Sequence, residues 1–132
     1  MIRKIDHIAV AVENLTASAE ILGKLLGISP SEVEEVAEQK VRALFFDIGG
    51  VHIELLEPTS EDSPVAGFLE KKGQGIHHIA FATDDIQNEI SRLDQQGFKM
   101  IDSIPRTGAG GKKIAFIHPR SSEKVLTELC QE

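Results

Sequence analysis

Two histidines, His7 and His78, stand seventy-one positions apart, and each lies near the start of the same short phrase. Asp6-His7-Ile8-Ala9-Val10-Ala11-Val12 sets over His77-His78-Ile79-Ala80-Phe81-Ala82-Thr83, with the histidine, the isoleucine and both alanines identical. In a strand, residues i and i+2 share a face. His7 therefore shares a face with Ala9 and Ala11, and His78 with Ala80 and Ala82, while Ile8, Val10, Val12, Ile79 and Phe81 make apolar opposite faces. An imidazole among small side chains leaves room for a cavity. Glu54, in Val51-His52-Ile53-Glu54-Leu55-Leu56, and Glu128, in Lys124-Val125-Leu126-Thr127-Glu128-Leu129, are carboxylates on apolar strands. Such groups are costly there without a partner. Two neutral imidazoles and two carboxylates suit one divalent ion, because the acids balance its charge and the nitrogens add borderline donors. The absence of thiolates sets this pattern apart from structural zinc. The N/O mixture fits Mn, Fe, Co, Ni or Zn, and four protein ligands leave two octahedral positions for a bidentate substrate.

The elements that position these residues also repeat. Each phrase runs into an acidic turn, Glu13-Asn14-Leu15 or Asp84-Asp85-Ile86, and then into an amphipathic helix. Leu15, Ala19, Leu22, Leu25 and Leu26 form the apolar stripe of the first, and Ile86, Ile90 and Leu93 that of the second. Gly27-Ile28 and Gly97-Phe98 predict left-handed stops. Val41–Phe46 and Ile114–Ile117 predict further strands, followed by turns at Gly49-Gly50 and Pro119-Arg120-Ser121-Ser122 and by the glutamate-bearing strands. Each half reads strand–helix–strand–strand–strand, the first of the last three being weakly marked. The expected fold is α+β: two βαβββ modules forming a curved mixed sheet around a metal-binding cleft. The expected organisation is a single domain, 1–132, with repeats 1–57 and 75–132. The linker 58–74 holds a short helix, Val65–Lys71.

Composition narrows the function. Fourteen basic and 21 acidic residues give a net charge of −7, and there is no Trp or Tyr. Such a chain repels nucleic-acid backbone and offers little on which bases could stack. No apolar run approaches the roughly 20 residues of a membrane span, and the opening residues lack a basic-then-apolar leader. The single cysteine, Cys130, has no internal disulfide partner and fits a reducing compartment. The expectation is a cytoplasmic protein that binds neither nucleic acid nor membrane, with Cys130 as an ordinary packing residue. His77 should point away from His78, His52 shares the parity of Glu54, and His118-Pro119 should shape a turn. Pro105–Lys113, with Gly108, Gly110 and Gly111, precedes a strand and is therefore not a P-loop. It reads as a flexible connection or as a lid bringing Arg106, Lys112 and Lys113 to an anionic substrate.

Paired βαβββ modules with His on the first strand and Glu on the last resemble the vicinal oxygen chelate, or glyoxalase-like, superfamily. Within it, Lys4–Val12, Ile53–Pro58, Gly75–Phe81, Gly108–Pro119 and Val125–Leu129 resemble the methylmalonyl-CoA epimerases, over nearly the whole chain. Gly108–Pro119 is the most specific stretch. The resemblance implies metal ligands at His7, Glu54, His78 and Glu128, the four that strand parity selects. It implies interconversion of the (R) and (S) forms of methylmalonyl-CoA by C2 proton abstraction through a metal-stabilised enolate. Some epimerases carry a further glutamate on the strand before the second ligand. Val41–Phe46 has none, so the catalytic proton transfer falls to Glu128 first and Glu54 second, with a metal-bound water as the alternative. The family's second ligand is often Gln, where this chain has Glu54. The usual glycines before the last strand are replaced by Ser122-Glu123-Lys124. A His/Glu/His/Glu set also resembles bacterial glyoxalase I. The alternatives are therefore lactoylglutathione lyase activity or a non-catalytic small-molecule-binding member. The implied partners are an acyl-CoA substrate and a second copy of the chain, as a homodimer.

Overall fold

Alternating burial marks the second half of β1 (Ile2–Ala11), where His7, Ala9 and Ala11 are buried and Ile8 and Val10 only partly so. The structure, a computed structural model, describes residues 1–132. After β1 come α1 (Leu15–Leu26), β2 (Glu34–Val36), β3 (Val41–Ile48), β4 (Val51–Pro58), α2 (Pro64–Lys72), β5 (Gly75–Thr83), α3 (Ile86–Gln95), β6 (Arg106–Thr107), β7 (Lys113–Ile117) and β8 (Thr127–Gln131). The strands form one mixed sheet in the order β2-β3-β4-β1-β5-β8-β7-β6. The strand–helix–strand–strand–strand order expected of each half is present, and the fold is the α+β, glyoxalase-like one. No helix is long and apolar enough to cross a membrane. Internal contacts divide the chain into two compact units, one made of Met1–His7 with His78–Glu132, the other of Ile8–His77.

In the unit Ile8–His77, β2, β3 and β4 form an antiparallel meander, with Phe45 opposite Glu54 and Asp47 opposite His52. Gly49 and Gly50, at φ 59 and 89°, make the β3–β4 turn, because a two-residue hairpin matching the strand twist needs positive φ at both positions. Helix α1 starts where the Asn14 side chain accepts the Ala17 N–H and ends at left-handed Gly27. Its core contacts unite Val12, Leu15, Leu44, Phe46 and Leu55, with Ala19, Leu22 and Leu26 packed against them. Leu25, expected on this stripe, is 74% exposed. At 100° per residue it lies about 80° away from Leu15, beyond the buried face.

In the other unit, β5 runs parallel to β8, and β8 and β6 flank β7 antiparallel. Ile86, Ile90 and Leu93 of α3 pack on Ala115, Ile117 and Leu129, as their spacing predicts. A second cluster joins Ala80, Ile114, Phe116 and Cys130. Strand β8 begins at Thr127, later than the expected Lys124. Glu123 and Lys124 sit at φ 58 and 67°, left-handed backbone that cannot belong to a strand. The Lys124 N–H closes the turn on Pro119 O at 2.7 Å.

Candidate metal centre

His7, His78 and Glu128 all belong to the unit Met1–His7 with His78–Glu132, and all three are buried. The pairing of β5 with β8 sets Ala80 opposite Glu128. His78, two residues before Ala80, is thereby on the same face as Glu128. The His78 Nε2 lies 3.1 Å from Glu128 Oε1, and the His7 Nε2 lies 3.2 Å from the His78 Nε2 and 3.7 Å from Glu128 Oε2. Donors about 2.1 Å from a shared ion stand roughly 3.0–3.4 Å apart at octahedral or tetrahedral angles; the 3.1 and 3.2 Å separations fall in that range, and the 3.7 Å one lies just beyond it. The two rings meet edge to face, and Phe116 packs against His78 with ring centroids 5.3 Å apart, giving the cluster an apolar wall.

The other side of His7 differs. Its Nδ1 lies 2.7 Å from Asp6 Oδ2, and the Lys112 ammonium lies 3.1 and 3.4 Å from the two Asp6 oxygens. The hydrogen bond to His7, joined by Lys112, holds the Asp6 carboxyl far below the usual carboxylate range in spite of burial. Burial pulls the Lys112 ammonium down, but Asp6 outweighs it and the net shift is upward. Ligand atoms of Asp6, His7 and Cys130 lie within 4.8 Å of one another. This second cluster is a poor cation site. Lys112 already brings positive charge to its carboxylate, and burial pushes the Cys130 thiol up, keeping it neutral. A cavity of about 490 Å³ adjoins it, lined by Lys4, Asp6, Ala82, Lys112 and Cys130 among others.

Glu54 stands on β4 in the other unit, half-buried opposite Phe45. The His52 ring stacks on Phe45 at 3.9 Å, and His77 meets the edge of Phe68 at 5.0 Å. His118 shapes a turn as expected, its Nδ1 accepting the Arg120 N–H. Ala9, Ala11 and Ala80 are fully buried. Ala82, partly buried, is among the residues that line the cavity. The glycine-rich stretch is not a structureless connection. It closes the β6–β7 hairpin, with the Gly108 N–H donating to Lys112 O at 2.8 Å. Sequence reasoning assigned no role at the site to Asp6 and treated Lys112 only as a substrate cation. The available signal was the acid directly before His7.

The family model described as Glyoxalase/Bleomycin resistance protein/Dioxygenase superfamily matches residues 6–116. The chain is 47% identical to the uncharacterized protein YqjC of Bacillus subtilis (strain 168), over 97% of this chain and 91% of that one. It is 38% identical to the ethylmalonyl-CoA/methylmalonyl-CoA epimerase of Cereibacter sphaeroides, over 99% of each. A variant of the Streptomyces coelicolor methylmalonyl-CoA epimerase, solved in complex with 2-nitronate-propionyl-CoA, superposes with a TM-score of 0.96 at 36% identity, covering 100% of this chain and 96% of that one. The chain therefore belongs to the glyoxalase/bleomycin resistance protein/dioxygenase superfamily and, within it, to the family of methylmalonyl-CoA epimerases.

Proposed function

We propose that this protein interconverts (R)- and (S)-methylmalonyl-CoA, with a divalent ion held by His7, Glu54, His78 and Glu128. The observation that carries the reading is the convergence of two imidazole nitrogens and a buried carboxylate within 3.1–3.7 Å, in a chain whose relatives include methylmalonyl-CoA epimerases. When bound, the ion, one of Co, Mn, Ni, Zn or Fe, supplies Lewis-acid polarisation of a thioester carbonyl and an anchor for the substrate carboxylate.

The chain's own part is to move a proton. The C2–H bond breaks, the proton passes to a carboxylate oxygen, and the electron pair moves into the adjacent thioester carbonyl. Return of a proton to the opposite face of C2 inverts the centre. Val41–Phe46 provides no further glutamate, so we assign the transfer to Glu128, with Glu54 as the second candidate. Glu128 is itself buried, so its carboxylate is shielded from bulk water.

Elemental analysis, followed by epimerase assay of chelated and reconstituted protein, tests this reading. It requires a bound divalent ion, loss of activity on chelation with recovery on reconstitution, and deuterium at C2 after turnover in D₂O. Turnover without deuterium excludes the mechanism. Isomerisation of a glutathione hemithioacetal in place of epimerisation would replace the substrate assignment with that of glyoxalase I. Metal-free protein that still binds an acyl-CoA would make it a binding member of the superfamily. We further propose a cytoplasmic location, which fits the single free thiol of Cys130 and is checked by cell fractionation, and a homodimeric state, checked by light scattering.

A further inference from the structure

His7 offers two ring nitrogens to two different settings. An ionised carboxylate only accepts hydrogen bonds. With Asp6 Oδ2 at 2.7 Å, His7 Nδ1 is therefore the nitrogen that carries the hydrogen in the neutral ring. Its lone pair is then on Nε2, the atom 3.2 Å from His78 Nε2 and 3.7 Å from Glu128 Oε2. We propose that Asp6 is a positioning residue, which fixes the tautomer and aim of His7 toward the ion and is itself clamped by Lys112 of the glycine-rich loop. The inference rests on the reading of His7 as a metal ligand and concerns how that ligand is prepared.

Two further observations support it. The loop is shaped to deliver Lys112. Gly110 and Gly111 take φ 69 and 74°, and the Gly111 N–H returns to Gly108 O. At Gly108 a Cβ would stand 2.8 Å from the Ile114 side chain, so only glycine lets the hairpin close at that distance. The ammonium that emerges is about a quarter exposed and rests on Asp6 across 106 positions of sequence. The repeat supplies the second observation. The position matching Asp6 in the second phrase is His77, which packs against Phe68. The strand itself does not demand an acid there. At His7 the acid is placed as a partner that orients a ligating imidazole would be.

The test uses the full chain, stripped of metal, with the variants Asp6→Ala, Asp6→Asn and His7→Ala. Equilibrium dialysis with Co²⁺ or Zn²⁺ gives the affinity, and nitrogen-15 imidazole NMR of the metal-free protein gives the tautomer. The parent should show His7 protonated on Nδ1. D6A should bind the ion 10–100-fold more weakly and show a mixture of tautomers. D6N, which keeps one acceptor oxygen, should recover most of the affinity and the Nδ1–H form. Parental affinity in D6A, or a parent His7 protonated on Nε2, overturns the proposal while leaving His7 a ligand. Parental affinity in H7A instead overturns the ligand reading beneath it. If D6A fails to fold, the parent's tautomer and D6N decide the matter.

Discussion

The two units begin their long helices in the same way with different chemistry. In the unit Ile8–His77, the first N–H of α1, on Leu15, donates to Glu57 Oε2 at 2.8 Å. In the other unit, the first N–H of α3, on Ile86, donates to Gln131 Oε1, also at 2.8 Å. Glu57 lies three residues after Glu54, and Gln131 three after Glu128. Residues three apart on a strand face opposite ways. Each closing strand therefore carries a candidate metal ligand on one face and a helix cap on the other. A side-chain oxygen is all the cap requires, so it tolerates a change from acid to amide, whereas the ligand position is a glutamate in both copies. The units also divide the candidate donors unequally. His7, His78 and Glu128 belong to one and Glu54 to the other.

That inequality predicts the largest effects. His78→Ala and Glu128→Gln should each lower kcat/KM by about 10³-fold or more, some 4 kcal/mol of transition-state stabilisation. Glu54→Gln should cost only about tenfold, since an amide oxygen still offers a lone pair and the proton transfer is assigned first to Glu128. Equal losses in a steady-state assay would erase the distinction between the units. Chelation comes next. With the ion at one hundred times its Kd, its removal should lower unfolding stability by about 2.7 kcal/mol. Hydrogen exchange should show the loosening first around His78 and Glu128.

The caps predict smaller effects that differ in their pH dependence. Glu57→Ala and Gln131→Ala should each cost about 1 kcal/mol in denaturant unfolding. The Glu57 loss should be the greater, because Arg42 also bonds its carboxylate, at 3.1 Å from Nε. Burial draws the Glu57 carboxyl up, but the Leu15 N–H and Arg42 outweigh it and leave it below its ordinary 4.5. A depressed carboxyl contributes stability that is complete above the unfolded value and is lost as pH falls through the folded one. The E57A penalty should therefore fade on acidification below about pH 4.5, while the Q131A penalty should not change with the state of residue 131. Last, Lys124→Gly should raise stability by about 0.5–1 kcal/mol, because its left-handed backbone suits glycine. A fall in thermal midpoint would show that the Lys124 side chain outweighs that strain.

Local pattern carried much of this molecule. The alternation around His7 and His78 marks strands because its period is two. The Ile86, Ile90, Leu93 spacing marks a helix because it follows a period near 3.6. Gly27 and Gly49-Gly50 mark ends and turns because few other residues reach positive φ. The same logic singled out Glu128 beside the two histidines. It failed where a residue's fate depended on what packs over it. Leu25 joined the apolar stripe by composition but lies beyond the face that β3 and β4 cover.

What the sequence determined by itself is the duplicated order of elements and the residue types able to hold a divalent ion, since both follow from periodicity within a dozen residues. What only the tertiary structure decided is which of those groups meet and what holds them. The pairing of Asp6 with Lys112 and the caps from Glu57 and Gln131 join residues 106, 42 and 45 positions apart. Such contacts depend on strand register and loop closure, which no local spacing encodes.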